Sequence, residues 1–480
     1  MEDYKKEFIN FLLKPGALQV FEDSSKDRSL KSKRLSPWFV NIGDFNDGES
    51  SGALADFYAD TIINSGIDVN ILYGIPDKMV GFASPVAIAM ARKGKNVGWC
   101  FSRKDEKTHG EATNLAPADR AKKLLVGRIP KEDQSICQID DVFTAGDAKY
   151  LANKFLTSIG RFYLPSLVIG VDRQEVAIDS KDAIKEYEEK TKTKVFSIVN
   201  ATEIYTFLKE QKLVSERSLE RLSNYLRVYG TDSARKFIRE NVGKLEQKII
   251  QRDRSVIPAC DVSTIEEFEE LVKQTADVEG IGGYKVGFEL GYGYGIPKVV
   301  DTARKHTDKP IIFDHQKAGT DIPDTGKNFA RTMKKAGVEN IILFPQAGPE
   351  TQRAWIYHAL DNGLSIIAGG PMTHAAYKQS EGGYLSDEGV FNMIRIAARA
   401  GISNFVAPGT KLDDFKKVIE IVKEEGIENP VFYAPGFVAQ GGNITDAGKV
   451  AGNYWNAIVG TGIYAAKDMK AAAIELTSQL

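Results

Sequence analysis

VIPACD (256–261), YKVGF (284–288), IIFDH (311–315), IILFP (341–345), LSIIAG (364–369), NFVA (404–407), PVFYA (430–434) and AIVG (457–460) are eight short apolar runs in the carboxyl-terminal half of the chain. Strands covered on both faces read as continuous apolar runs, because neither side chain direction meets water. Most of these runs are followed by a charged amphipathic stretch such as TIEEFEELVKQTA (264–276) or KLDDFKKVIEIVKEEG (411–426). Strand-like and helix-like segments alternating eight times over residues 251–480 predict a (β/α)8 barrel, a closed ring of parallel strands. A doubly wound open sheet is the alternative, but it does not require eight units. Active sites in such barrels lie at the carboxyl ends of the strands, so the polar residues closing the runs are the first candidates for chemistry.

The rest of the chain has a different texture. Residues 1–200 carry Gly-punctuated apolar runs separated by polar loops, which predicts a separate domain. Residues 201–250 contain no proline, and Ile204, Phe207 and Leu208, then Leu219, Leu222 and Leu226, recur at helical spacing. This segment reads as a helical linker with one buried stripe, or alternatively as a docking surface. Across all 480 residues, 63 Lys+Arg against 65 Asp+Glu leave a net charge of −2, which provides no basic field for nucleic acid. Charges interrupt every apolar stretch before the ~18–20 residues that span a bilayer, so no membrane association is expected. Three scattered cysteines without a CxxC pair argue against disulfides or structural zinc and for a reducing, cytoplasmic setting. The five histidines have no metal-ligand spacing; His306 and His358 read as structural residues on helices, and His374 has no assigned role.

In the first domain, ICQIDDVFTAGDA (136–148) reads as a buried strand, two carboxylates and a small-residue turn opening a helix. Backbone N–H groups at such a turn can cradle a phosphate. Asp140 and Asp141 can hold ribose hydroxyls or water-bound Mg²⁺. With Thr144, Ala145 and Gly146 following, the segment resembles the 5-phosphoribosyl-1-pyrophosphate (PRPP) motif of type I phosphoribosyltransferases. LKSKRLSPWFVNIGDFNDG (30–48), YGIPDKMVGF (73–82), FSRKDEKTHGE (101–111) and GVDRQE (170–175) resemble, in the same order, segments of orotate phosphoribosyltransferases. That resemblance implies an α/β, type I phosphoribosyltransferase fold in which Lys31 meets the pyrophosphate or phosphate side and Lys78 the pyrophosphate, while Phe39 packs near the orotate ring and Arg173 contacts orotate. Residues 101–111 would be a mobile catalytic loop whose Arg103, Lys104, Lys107 and His109 suit a pyrophosphate leaving group. It also implies Mg²⁺ with PRPP, and a loop shared between the subunits of a dimer.

In the barrel, Asp261 closes its run, Lys285 interrupts YKVGF, and Asp314, Lys317 and Asp321 cluster in FDHQKAGTDIPDTG (313–326). Together with PMTH (371–374), PGFVAQGG (435–442) and VGTGIY (459–464), this resembles orotidine 5′-phosphate decarboxylase over the whole barrel. The implied reaction leaves a carbanion on the pyrimidine ring and needs no cofactor. Lys317 would meet that charge, kept ionised and positioned by Asp314, Lys285 and the partner subunit's share of the site through Asp321. Asp261 and Lys285 would reach ribose hydroxyls, Thr373 the pyrimidine edge and Gln440 the phosphate. Two departures stand out. The family's Asp-x-Lys-x-x-Asp is here Asp314-x-x-Lys317-x-x-x-Asp321, so either Asp314 or His315 neighbours Lys317. The phosphate-binding arginine after the eighth strand is replaced by Thr461, leaving backbone N–H groups of Gly441, Gly442, Gly460 and Gly462 to bind the phosphate.

The two halves resemble consecutive enzymes, the arrangement of the bifunctional UMP synthases. Orotate and PRPP would give orotidine 5′-monophosphate, then UMP and CO₂, in a homodimer or higher homo-oligomer. The alternatives are a transferase joined to a barrel of altered decarboxylase specificity, or a regulator that senses PRPP or nucleotides.

Overall fold

The computed structural model describes residues 1–76, 78–103, 122–143, 146–245, 248–314 and 321–480. They form two compact units, Met1–Asn241 and Val242–Leu480. Among the described residues no helix is long and apolar enough to cross a membrane.

In the first unit, six strands make one sheet: β1 (Ile71–Gly74), β2 (Gly98–Ser102), β3 (Leu125–Gly127), β4 (Ser135–Phe143), β5 (Tyr163–Asp172) and β6 (Lys194–Asn200). Their order is β6-β5-β4-β1-β2-β3, parallel throughout except that β3 runs antiparallel to β2. Helices α1 (Gly48–Asn64), α2 (Ala83–Arg92) and α3 (Asp147–Ile159) belong to this unit. Ile71, Tyr73, Ile136, Leu167 and Ile169 of the sheet share an apolar core with Ala152, Leu156 and Ile159 of α3. The chain leaves β1 toward β2 and leaves β4 toward β5, in opposite directions along the sheet. A crevice opens where strand order reverses in this way, beyond the carboxyl ends of the two strands.

The stretch read from sequence as a linker divides in the structure. Residues 201–241 fold as α4 (Ala201–Glu210), α5 (Glu216–Tyr229) and α6 (Asp232–Asn241) within the first unit. Asn200 and Glu203 form a capping box that satisfies the opening N–H groups of α4. Arg221 of α5 makes two 2.9 Å hydrogen bonds to the carboxylate of Asp27 and donates to the Phe21 carbonyl. Both side chains of the pair are almost wholly buried, at 0% and 1% exposure. A helix fixed by a buried ion pair to residues near the amino terminus is part of that unit's body. Ile249 and Ile250, at the other end of the stretch, instead join the core of the second unit.

The second unit is a closed barrel of eight parallel strands: β7 (Arg254–Cys260), β8 (Tyr284–Val286), β9 (Ile311–Asp314), β10 (Asn340–Leu343), β11 (Ser365–Ala368), β12 (Asn404–Val406), β13 (Val431–Pro435) and β14 (Trp455–Val459). β14 pairs back onto β7, from Arg254 opposite Trp455 to Pro258 opposite Val459. All eight apolar runs of the sequence are therefore strands of one ring. Ile257, Ile312, Ile342, Ile367, Val406 and Ile458 point inward and fill it, with Ile249 and Ile250 packed in the same cluster. Gly282, just before β8, leaves room for Ile250: a Cβ there would come within 2.8 Å of that side chain. The two segments quoted as helical are α7 (Ile265–Thr275), with a Thr264–Glu267 capping box, and α8 (Leu412–Glu424). His358 lies in the helix Pro349–Asp361. His306 falls in the turn after the helix Ile296–Arg304, where its Nε2 is 3.1 Å from Glu269 Oε1.

Arg221→Met should break the buried Arg221–Asp27 ion pair at a cost of about 3–5 kcal/mol. The expected readout is faster hydrogen exchange in both residues 21–29 and 216–229; unchanged protection in either stretch would show that the pair does not anchor these helices.

Candidate active sites

The barrel site follows from strand register. Ala259, Lys285 and Ile312 are opposite one another on β7, β8 and β9. Side chains alternate between faces, so Asp261 and Asp314 point inward two residues beyond Ala259 and Ile312, roughly 6.6 Å higher along the ring. A lysine side chain spans about that rise. Lys285 reaches up between the two carboxylates, with Nζ 2.8 Å from Asp314 Oδ2 and 3.6 Å from Asp261 Oδ1. Asp314 and Lys285 are buried at 1% and 5% exposure, whereas Asp261 is partly open. Burial works against the ammonium, but the charges of Asp314 and Asp261 outweigh it and raise the Lys285 pKa above its ordinary value. The lysine therefore stays charged through neutral pH.

Above this trio a cavity of about 310 Å³ opens at the carboxyl ends of the strands. Asp261, Lys285, Asp314, Thr373, Gln440, Gly460 and Thr461 all line it, which brings together seven of the residues singled out from sequence. Around Gly436, which has a φ of +108°, the segments after β11, β12 and β13 meet: a Cβ there would lie 3.1 Å from the Thr373 methyl and 2.8 Å from that of Thr410. Gly441, Gly442 and Gly462 stand outside the lining. Asp321 is exposed, with Oδ1 accepting from the Ile322 N–H at 2.7 Å, and is likewise absent from the lining. Sequence reasoning passed over His374, Phe437 and Tyr464, which also line the cavity. Tyr464 could have been found from the quoted VGTGIY, because a one-turn helix (Thr461–Tyr464) returns it beside Thr461. Lys317 and its possible neighbour His315 lie outside the described residues.

In the first unit, the crevice between β1 and β4 holds a second arrangement of paired charges. Asp140 and Asp141 are within β4, near its carboxyl end, and Lys78 follows β1. Lys78 Nζ is 2.9 Å from Asp141 Oδ2 and 3.4 Å from Asn41 Oδ1. Lys149, in the first turns of α3, lies 2.5 Å from Asp140 Oδ2 and donates to the Val142 carbonyl. Burial lifts the Asp140 carboxyl to about 6 against the pull of Lys149, whereas burial of Asp141 is outweighed by Lys78, which holds that carboxyl below its ordinary range. Gly146, at a φ of +83°, turns the chain into α3. Lys149 carried no signal in the sequence, where it looks like any lysine on an amphipathic helix.

Phe39 is half-buried in the short strand Trp38–Val40, two residues before Asn41. Arg173 is 2% exposed; it donates to Glu175 and Ser36 and stacks 4.0 Å over the Trp38 ring. It thus braces the segment that carries Phe39. Lys31 and Arg103 are exposed. Lys104, Lys107, His109, Thr144 and Ala145 lie outside the described residues.

Comparison with known proteins agrees with this division. The model of the "Orotidine 5'-phosphate decarboxylase / HUMPS family" matches residues 254–476, the barrel. Over 231 residues the chain is 34% identical to the orotate phosphoribosyltransferase of Photobacterium profundum, covering 48% of this chain and 100% of that protein. It is 35% identical, with the same coverage, to the orotate phosphoribosyltransferase of Vibrio atlanticus. A solved orotidine 5′-monophosphate decarboxylase from Methanocaldococcus jannaschii aligns with 47% of this chain and 98% of its own, at 23% identity and a TM-score of 0.42.

Lys285→Met should leave Asp314 buried without this cation and destabilise the barrel by about 3–5 kcal/mol. Adding Asp314→Asn should return much of that loss, since no charge is then left buried. Chemical denaturation of the barrel monitors both; a double variant as unstable as the single one would contradict the pairing.

Proposed function

We propose how this chain, which belongs to the orotate phosphoribosyltransferase family and carries a domain of the orotidine 5′-phosphate decarboxylase / HUMPS family, divides the two steps of UMP synthesis among its residues. The observation that carries the barrel assignment is Lys285 held between Asp261 and Asp314 at the mouth of a closed ring of strands.

In the first unit the substrates are orotate and PRPP. Asp140 and Asp141 hold the ribose hydroxyls or Mg²⁺-bound water, and backbone N–H groups of Thr144, Ala145 and Gly146 hold the 5′-phosphate. Among the described residues no cluster of three or more His, Cys, Asp or Glu could hold a metal by itself. One or two carboxylates facing a polyphosphate do suit Mg²⁺, which typically keeps several waters and binds largely through substrate phosphates. When bound, Mg²⁺ supplies charge neutralisation on the pyrophosphate. Lys31, Lys78, Arg103, Lys104, Lys107 and His109 stabilise the negative charge that builds on the departing pyrophosphate. Phe39 packs on the orotate ring, and Arg173, which braces the segment carrying Phe39, contacts orotate.

In the barrel, orotidine 5′-monophosphate loses CO₂ without a cofactor. Lys317, three residues beyond Asp314, meets the carbanion at the pyrimidine ring and delivers its proton. Asp314 and Lys285 fix the charge pattern around it, and Asp321 completes the site of the partner subunit. Asp261 and Lys285 hold ribose hydroxyls, and Thr373 the pyrimidine edge. Gln440, Thr461 and the backbone at Gly441, Gly442, Gly460 and Gly462 hold the phosphate. We infer a homodimer or larger homo-oligomer in the cytoplasm.

Purified protein given orotate, PRPP and Mg²⁺ should release pyrophosphate and form UMP. Lys317→Ala should lower decarboxylation by about 10²–10³-fold or more, as loss of a charge-stabilising group does, while orotidine 5′-monophosphate still accumulates. Lys107→Ala should do the reverse, and mixing the two variants should restore UMP. Loss of both activities in folded Lys317→Ala would refute the division into two sites.

A further inference from the structure

The segment 371–386 follows β11 and carries Thr373 and His374, two residues of the cavity wall. It contains little regular structure beyond a short 3-10 turn, Gln379–Glu381, and an isolated bridge from Lys378 to Leu385. Tyr377 ties it inward, donating its hydroxyl proton to the Gly370 carbonyl and accepting from Gln346, each at 3.0 Å. Ala376 has a φ of +56°, a left-handed conformation that a residue with a side chain rarely adopts. A segment of this kind does not hold its shape by backbone pairing alone.

Two lysines supply the rest. Lys411, in the loop after β12, donates to the His374 carbonyl at 2.8 Å and to both carboxylate oxygens of Glu381 at 2.8 Å each. Lys378, within the segment, pairs at 2.6 Å with Asp414 in the first turn of α8 and at 3.6 Å with Glu381. Glu381 Oε2 also accepts from the Tyr377 N–H at 3.3 Å. Isolated exposed ion pairs contribute little, but here four charged groups form one connected network, and their side chains are 9% to 23% exposed. None of these four groups lines the cavity, whereas Thr373 and His374 do. Thr410, the residue before Lys411, touches the same Gly436 pocket as Thr373.

We propose that Lys411 is a positioning residue for the barrel reaction: by joining the His374 carbonyl to Glu381 across two strand connections, it holds Thr373 and His374 on the cavity wall. The kinetic consequence rests on the assignment of the barrel as an orotidine 5′-monophosphate decarboxylase, but the structural consequence does not. Lys411 does not line the cavity, so it acts through the segment it holds.

The test uses the full chain. In Lys411→Met, hydrogen exchange over residues 371–386 should quicken in the ligand-free protein while the strands keep their protection. For orotidine 5′-monophosphate, kcat/KM should fall about 10- to 100-fold, the scale of a misplaced contact group, with KM carrying most of the change. Lys411→Arg should restore much of the loss. Glu381→Gln should act in the same direction, and combining it with Lys411→Met should add little, because both remove one interaction. Orotate-dependent pyrophosphate release should not change, which serves as the control for folding. Unchanged exchange in Lys411→Met would overturn the proposal whatever the barrel catalyses. Faster exchange with unchanged decarboxylation kinetics would also overturn it, by separating the segment's order from the reaction. If the wild-type chain failed to turn over orotidine 5′-monophosphate, the functional assignment would fall and exchange alone would decide whether Lys411 holds the wall.

Discussion

Register between β7, β8 and β9 is the constraint on which the second site depends. One lysine lies a step below two aspartates on neighbouring strands, and the closed ring prevents any of the three strands from sliding. A slip of one residue would send Lys285 to the outer face, where Tyr284 now hydrogen-bonds Thr275 of α7. It would also separate the buried carboxylate of Asp314 from its cation. The cost of burying such a charge unpaired is several kcal/mol, so the same pairing that serves the site penalises the wrong register.

The first unit meets the same requirement in an open sheet. Asp140 and Asp141 are adjacent on one strand, so their side chains leave the backbone in different directions and pair with different lysines. Each has its own: Lys149 from α3 for the inner carboxylate and Lys78 from the end of β1 for the other. Lys78 is about half exposed, whereas Lys149 is buried. A substrate with phosphate groups can therefore compete for Lys78 at the crevice, while Lys149 remains committed to the protein.

The barrel was legible in the sequence because both faces of its strands are buried, which makes the runs continuous and easy to count. Asp261, Lys285 and Asp314 were legible for a related reason, since a charge that ends or interrupts an apolar run stands out. The boundary near 241 was not. Arg221, Arg227 and Arg235 look like a solvated helix face, yet all three are buried, and nothing local in the sequence reveals that Asp27 waits nearly two hundred residues away. Lys149 and Lys411 were missed for the same reason: their partners are fixed by tertiary structure. Arg173 was read from its motif as a ligand contact, and its stacking on Trp38 depends on a strand pairing (Gln19 opposite Phe39) that spacing alone does not supply.

Charge balance in the barrel mouth explains why the trio cannot be the whole site. Among the described lining residues, Lys285 is the one Lys or Arg, set against the two carboxylates of Asp261 and Asp314. An anionic substrate with a phosphate and a carboxylate entering that mouth meets an excess of negative charge. Binding then requires further positive potential, from backbone N–H groups at the phosphate end and from a cation near the ring. In the proposed mechanism that cation is Lys317, three residues beyond Asp314 in the sequence. In the proposed reaction a carboxylate of the trio close to the substrate carboxylate would disfavour the bound acid, and that repulsion would end when CO₂ departs.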